Sequence, residues 1–262
     1  MAEGAAEEFG QRGWCRFGFD DAVAAWAERA LPFARTALAD PQFAGWWRCG
    51  GTWFAGVNAL PNDGNGRVLG GPPLAGEAIA FIGAHVMPPP FTWDRAQVSA
   101  CFPGYPRHGS EESEAAFRYR RDRDAAHVDG LAREGPARRR HLREPHAFIL
   151  GIPLTDCPAS PLIVWEGSHH IMGQALSDAL SPRAPSQWAG ADVTEAYVAA
   201  RNLVFSSCRR VPVRARPGEA YLIHRLALHG VSPWEGGIVA PPEGRMIAYF
   251  RPPLATFADW LA

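Results

Sequence analysis

Lysine is missing from this chain altogether: all 26 Lys+Arg positions in the 262 residues are arginine. That absence removes a Schiff-base lysine, a phosphate-loop lysine and a lysine general base. Cysteine is sparse and scattered, at Cys15, Cys49, Cys101, Cys157 and Cys208, so neither a CxxC redox pair nor a clustered zinc knuckle can be drawn. An odd set of distant cysteines suits a reduced chain, and a cytoplasmic location is expected. No run approaches the roughly 20 apolar residues of a membrane span, and the acidic start MAEGAAEEFG is unlike an export signal. An excess of one charge is lacking too. A net charge of −1 argues against broad nucleic-acid binding. A small-molecule partner is expected, with neither nucleic acid nor membrane, and nothing in the sequence speaks to oligomeric state.

Apolar residues, by contrast, make up 47% of the chain, enough to bury one well-formed core. The 27 glycines and 24 prolines imply many turns. Asp20 to Ala39 opens on two capping aspartates and places Val23, Trp26, Ala27 and Leu31 at helical spacing, which predicts a helix interrupted near Pro32. Phe43 to Gly71 reads as loop. Its Gly64, Gly66 and Gly70 miss the dinucleotide fingerprint by one residue and lack a preceding strand. A short helix is expected over Leu74 to Gly83, and helical insertions over Gln174 to Leu180 and Val193 to Val204. Strands are expected at Gln97 to Phe102, His146 to Ile152, Leu162 to Trp165, Val211 to Arg214, Ala220 to His224 and Arg245 to Arg251. Without regular strand-helix alternation, the pattern predicts a mainly β, α+β antiparallel jelly roll with an N-terminal helical layer. One domain is expected over 1–262, with helices and loops to about residue 90 and the β core over about 91–262.

His127 and Asp129 stand two apart in AAHVDGL, where extended backbone points both side chains to one face. Such a pair is common by itself, and its context gives it weight. His229 supplies a third ligand after the expected strand Ala220 to His224. Two histidines and one carboxylate on one face of an octahedral ion leave three positions open, as in non-haem Fe(II) oxygenases. Arg245 lies sixteen residues beyond His229 at the head of RMIAYF, where a hairpin can return it towards the metal, and its planar fork suits a carboxylate.

From roughly Gln97 to Pro253 the chain resembles the phytanoyl-CoA dioxygenase-like branch of the Fe(II)/2-oxoglutarate oxygenases. The resemblance rests on His127-Val128-Asp129, Trp165-Glu166-Gly167-Ser168-His169, Pro217-Gly218-Glu219, and His229-Gly230 followed by Arg245. Glu166 stands where that family usually has proline, and Glu219 where it usually has aspartate. The resemblance implies a double-stranded β-helix with iron at one end, His127, Asp129 and His229 as its ligands, and Arg245 holding the distal carboxylate of 2-oxoglutarate. It further implies that Fe(II), 2-oxoglutarate and O2 together hydroxylate a small or medium organic metabolite, releasing succinate and CO2. Retention of Asp129 argues against halogenation. Arg118, Tyr119 and Arg120 are positional candidates for the metal-proximal end of 2-oxoglutarate, and none is assigned. The alternatives are a cupin-like divalent-metal hydrolase or isomerase without 2-oxoglutarate, and a ligand-binding protein on the same scaffold.

The remaining features have ordinary readings. His224 alternates with Ala220 and Leu222 and reads as a core histidine. His169 and His170 read as part of a turn that either supports the metal site or is held by local hydrogen bonds. The stretch around Arg138, Arg139 and Arg140 reads as a solvated loop, with a lid as its rival, and Trp46, Trp47 and Trp53 as packing between helices and sheet, with an apolar substrate pocket as the rival.

Overall fold

The computed structural model describes residues 2–110 and 112–261. The strands are β1 (Trp14–Phe17), β2 (Trp47–Arg48), β3 (Trp53–Gly56), β4 (Gln97–Cys101), β5 (Leu131–Glu134), β6 (Arg139–Leu142), β7 (Phe148–Pro153), β8 (Leu162–Trp165), β9 (Arg210–Val213), β10 (Ala220–His224), β11 (His229–Val231) and β12 (Arg245–Phe250). The helices are α1 (Ala2–Arg12), α2 (Asp21–Ala39), α3 (Glu77–His85), α4 (Glu114–Asp122), α5 (Ser168–Leu180) and α6 (Thr194–Ser207). A seven-stranded antiparallel sheet runs in the order β1-β10-β7-β12-β4-β3-β2, a three-stranded sheet in the order β11-β8-β9, and β5-β6 form a separate hairpin.

The period of two along each strand divides the side chains between two environments. Met246, Ala248 and Phe250 of β12, with Phe148, Leu150 and Ile152 of β7, join Trp26, Ala30 and Phe81 of α2 and α3 in one core. Their neighbours Ile247, Tyr249 and Ile149 turn the other way and pack against Leu162, Val164 and Val213 of the smaller sheet. That second face is the inside of a β-sandwich. The small sheet is covered in turn by α5 and α6, whose Met172, Leu176, Tyr197 and Val204 meet Ile163 and Trp165. A strand buried on both faces needs no polar alternation, which explains the continuous LIVW run of β8.

Several expectations shift. α2 runs uninterrupted through Pro32, which is exposed, while Val23, Trp26, Ala30, Ala34 and Ala37 bury the opposite stripe. That packing offsets the one missing amide donor. Asp20 caps α2 by accepting from Ala22 N, and its second oxygen accepts from Glu77 N at the start of α3, which therefore begins three residues later than expected. The supposed loop from Phe43 to Gly71 contains β2 and β3, and β1 also joins the large sheet, so the first 90 residues supply three strands as well as helices. Gly64 to Gly70 remains a loop, held by Asp63 Oδ1 accepting from Asn65 N and Arg67 N. Ser168, His169 and His170 form the first turn of α5, which is longer than expected at its N-terminal end. The arginine-rich segment forms the β5-β6 hairpin, with its turn and Arg138 and Arg139 solvent-exposed as expected but Arg140 buried, and with Arg143 and His141 on Glu134. No helix among the described residues is long and apolar enough to cross a membrane, and all five cysteines are free thiols.

His224 falls on the outer face of β10, its ring 4.8 Å from His169 and 5.7 Å from Phe9. Burial pushes His224 down to about 3 and His169 down to about 4. Both rings are therefore neutral when folded but take up protons below about pH 6.5 when unfolded. Their contribution is complete above that pH and declines as the pH falls towards 4. Urea midpoints measured from pH 7 to 5 should decline, and less steeply in His169→Gln, which keeps a donor for Gly10 O but cannot titrate. Parallel slopes for the two proteins would contradict this.

Candidate metal centre

His127 and His229 are joined through their backbones before their side chains meet. His127 N donates to His229 O at 2.8 Å, and His229 N donates to His127 O at 3.0 Å, an isolated antiparallel bridge between the 124–129 segment and the start of β11. Two local features permit this approach. At Gly230 a Cβ would stand 2.1 Å from Asp124 O, so any side chain there would push the segments apart. Asp124 and Ala125 take left-handed φ angles of 55° and 53°, turning the chain out of α4 into the bridge. The turn is pinned by a buried carboxylate, because Asp124 receives Nε and Nη2 of Arg210 from β9 at 2.8 and 2.7 Å. Such a two-pronged, charge-assisted contact fixes orientation as well as distance.

Extended backbone from the bridge sends Val128 into the core beneath α5 and α6 and returns Asp129 to the face of His127. Asp129 Oδ1 lies 3.0 Å from His127 Nε2, and Oδ2 lies 3.8 Å from His229 Nε2. One ligand atom from each of the three residues lies within 4.8 Å of the others. Each histidine sets its Nδ1 against the carbonyl two residues earlier, Ala125 O at 3.0 Å and Ala227 O at 2.9 Å. A carbonyl only accepts, so Nδ1 is a donor in both rings, and Nε2 is the ring atom turned towards the carboxylate. Burial and the neighbouring His127 push His229 down to about 4, keeping it neutral. Burial opposes ionisation of Asp129, yet the His127 hydrogen bond and the Arg251 guanidinium hold it well below the usual carboxylate range. Two imidazoles whose Nδ1 atoms are engaged by carbonyls and whose Nε2 atoms turn inwards, together with a carboxylate, fit a divalent first-row metal.

The trio lines a cavity of about 280 Å³ whose walls include Trp46, Trp53, Ile149, Leu162 and Tyr249. Trp46 and Trp53 line the site as well as packing, Trp46 with Trp47 against the main core and Trp53 against Cys101 and Tyr105. Arg251, Gln97 and Ser99 add polar groups. Arg251 Nη1 lies 3.3 Å from Asp129 Oδ2, its Nη2 donates to Gln97 Oε1 at 2.9 Å, and its backbone N donates to Asp94 Oδ1. Sequence reasoning missed Arg251, Gln97 and Tyr249. The signal was available in part, since 245, 247, 249 and 251 share one face of an extended run.

Arg245 is not brought into the wall of this cavity. It is 3% exposed, lines a separate cavity of about 530 Å³ beside Arg16, Arg214 and Arg216, and reaches the metal cavity only through Tyr249. Arg245 Nη2 lies 3.5 Å from Tyr249 Oη, which accepts from Tyr221 Oη at 2.9 Å, while Arg245 Nη1 is buried without a partner. Of the three positional candidates, Arg118 is exposed, Tyr119 donates to Ala126 O and Arg120 pairs with Glu112. His169 and His170 lie against α1 and His224, apart from the trio.

No protein-family model and no curated protein sequence matches the chain. Solved structures do. The non-heme alpha-ketoglutarate-dependent carbocyclase SnoK from nogalamycin biosynthesis superposes with a TM-score of 0.50 at 13% identity, covering 97% of this chain and 85% of that one. The non-heme alpha-ketoglutarate-dependent epimerase SnoN from the same biosynthesis gives 0.50 at 13% identity, covering 97% and 82%. EvdMO1 gives 0.51 at 11% identity, covering 97% and 50%. At these identities the likeness shows a shared fold, the cupin-like double-stranded β-helix.

The Asp124–Arg210 contact gives a direct check on how the trio is held. Asp124→Asn should retain the circular-dichroism spectrum while weakening Co(II) or Fe(II) binding by about 10- to 100-fold, the usual cost of removing a group that orients metal ligands. Unchanged metal affinity in the titration would show that the bridge holds without it.

Proposed function

We propose that this protein is an Fe(II)- and 2-oxoglutarate-dependent oxygenase that hydroxylates a small or medium organic metabolite, with phytanoyl-CoA dioxygenase-like enzymes as its relatives. The observation that carries the reading is the convergence of His127, Asp129 and His229 within 4.8 Å, with both Nδ1 atoms committed to backbone carbonyls. When bound there, iron supplies the coupling of O2 reduction to the oxidative decarboxylation of 2-oxoglutarate to succinate and CO2. Overall, one oxygen atom of O2 enters succinate and the other enters the product alcohol.

The chain's own residues have definite tasks in this reading. His127, Asp129 and His229 would hold the ion, through one ligand atom each. Arg251 restrains Asp129 Oδ2, so the carboxylate meets the ion in one orientation. Arg245 and Tyr249 are the groups suited to the distal carboxylate of 2-oxoglutarate, the unpartnered Nη1 of Arg245 supplying a donor with no other acceptor. Gln97 Oε1 is engaged by Arg251, which leaves its amide N–H groups to donate at the metal-proximal end. Trp46, Trp53 and Leu162 provide apolar walls that hold a substrate and exclude water.

A second reading, a divalent-metal hydrolase or isomerase that does not use 2-oxoglutarate, is favoured by one observation: the Tyr221–Tyr249 pair stands between Arg245 and the metal cavity. The two part in a single assay. Anaerobic Fe(II) protein should develop a visible metal-to-ligand charge-transfer band on adding 2-oxoglutarate, and aerobic protein should release succinate slowly without substrate. Asp129→Ala should abolish both, and Arg245→Met should raise the 2-oxoglutarate Kd at least tenfold, as expected for losing about 1.5 to 3 kcal/mol of charged hydrogen bonding. Absence of the band at saturating 2-oxoglutarate would favour the second reading.

A further inference from the structure

Next to the metal cavity lies a second chamber, of about 390 Å³, which shares Trp53, His127, Asp129 and Arg251 with it and adds Arg120, Arg133, Arg140 and Arg143. Three of its guanidinium groups are already neutralised: Arg120 by Glu112, Arg143 by Glu134 and Arg251 by Asp129. Arg133 and Arg140 are not. Neither makes an ion pair among the described residues, although they sit directly opposite one another across the β5-β6 hairpin. Like charges at opposed positions cost stability, and here one of the two is almost wholly enclosed, Arg140 being 6% exposed.

The surroundings add more positive charge, and the acid on the chamber wall besides Asp129, Glu144, is exposed and pairs with neither cation. The Arg140 guanidinium lies 3.9 Å from the centre of the Tyr197 ring, and Arg201 lies 4.9 Å from the Tyr119 ring and 5.6 Å from Tyr197. An aromatic face attracts a guanidinium without taking up its N–H donors as a carboxylate would. Two donors in the same cluster, Tyr197 Oη and Arg201 Nε, are buried without a hydrogen-bond partner. Burial and the adjacent guanidiniums pull both Arg133 and Arg140 below their ordinary value, although guanidinium remains protonated at neutral pH. A fold that maintains two unpaired, mutually repelling cations beside unpartnered donors has a place for an anion.

We propose that Arg133 and Arg140 form an anion subsite that anchors a phosphate or sulfate group of the substrate, so that the substrate's reactive carbon is presented to the metal trio from the chamber side. A tetrahedral dianion matches two guanidinium groups facing one another better than a single carboxylate does. The statement that the anchored molecule is the substrate rests on the oxygenase reading. The existence of the subsite does not, since it is tested without iron or 2-oxoglutarate.

The probes are inorganic phosphate and sulfate, titrated into metal-free protein at constant ionic strength against chloride, with binding read by calorimetry and thermal shift. Saturable binding with a Kd of about 1 mM or tighter is expected, weakened at least tenfold in Arg140→Gln and in Arg133→Gln, and unchanged in Arg121→Gln on the exposed face of α4. Phosphate and sulfate binding equally marks a site for either ester, while a tenfold preference assigns the substrate to the preferred one. Should Arg140→Gln fail to fold, the exposed Arg133→Gln carries the same test. Three results would overturn the subsite: no saturable binding, equal binding in the variants, or displacement of phosphate by 2-oxoglutarate in stoichiometric competition. The last would make the chamber the co-substrate's own seat. Retention of the 2-oxoglutarate charge-transfer band in Arg133→Gln separates failure here from failure of the oxygenase reading.

Discussion

Everything at the candidate metal centre depends on two backbone hydrogen bonds between residues about a hundred positions apart. The His127–His229 bridge fixes the distance between the two imidazoles before either side chain adopts a rotamer, and alternation then decides that Asp129, not Val128, joins them. The bridge forms only if nothing intervenes, which is why glycine follows His229, and only if the chain leaves α4 through a left-handed turn. Non-glycine residues at positive φ cost free energy. Here the Asp124 carboxylate, clamped by Arg210 from the small sheet, offsets that cost. The ligand set is thus a product of sheet geometry and one buried ion pair, and the fold supplies a trio whose preorganisation does not wait for the metal.

Much of this was legible in the sequence for a physical reason. Strands buried on both faces, such as Leu162–Trp165 and Ala220–His224, carry apolar runs too short for helices and too continuous for loops, and both occur where expected. His127, Asp129 and His229 were found by residue type and spacing, and the structure draws them together. What stayed hidden has a common cause: it depends on partners distant in sequence. β2 and β3 are short and glycine-flanked, and β3 becomes a strand by adding to β4, and β2 by adding to β3. The β5-β6 hairpin has an arginine-rich sequence that reads as solvated because the aromatic face of Tyr197, on which Arg140 lies, arrives more than fifty residues later.

The placement of Arg245 is the instructive difference. Its position at the head of β12 follows from the hairpin, and its parity sends it to the sandwich interior with Ile247 and Tyr249. Parity alone does not give depth. A strand advances about 3.3 Å per residue, so Arg245 and Arg251 stand on the same face roughly 20 Å apart along the strand, and the residue near the ligand carboxylate is Arg251. Between them, Tyr249 touches both environments, hydrogen-bonded to Tyr221 and within 3.5 Å of Arg245 while lining the metal cavity. One face of β12 therefore offers a graded series: a guanidinium paired to the ligand carboxylate, a phenol, and a guanidinium with a free donor.

In a chain whose every cationic side chain other than histidine is arginine, the informative arginines are those without a carboxylate. Guanidinium cannot shed its proton to escape burial, as a lysine ammonium can. An enclosed arginine must therefore find an anion, an aromatic face or a carbonyl. Around the metal trio, Arg120, Arg143 and Arg251 have found acids, and Arg140 and Arg201 have found tyrosine rings that satisfy the planar face but not the donor edge. Arg245 retains an unpartnered Nη1. The unsatisfied edges thus lie on two sides of His127, Asp129 and His229, one at the hairpin and one deep in the sandwich. In the proposed reading these two sets serve two different anionic groups, the co-substrate's carboxylate in the sandwich and a substrate's ester at the hairpin.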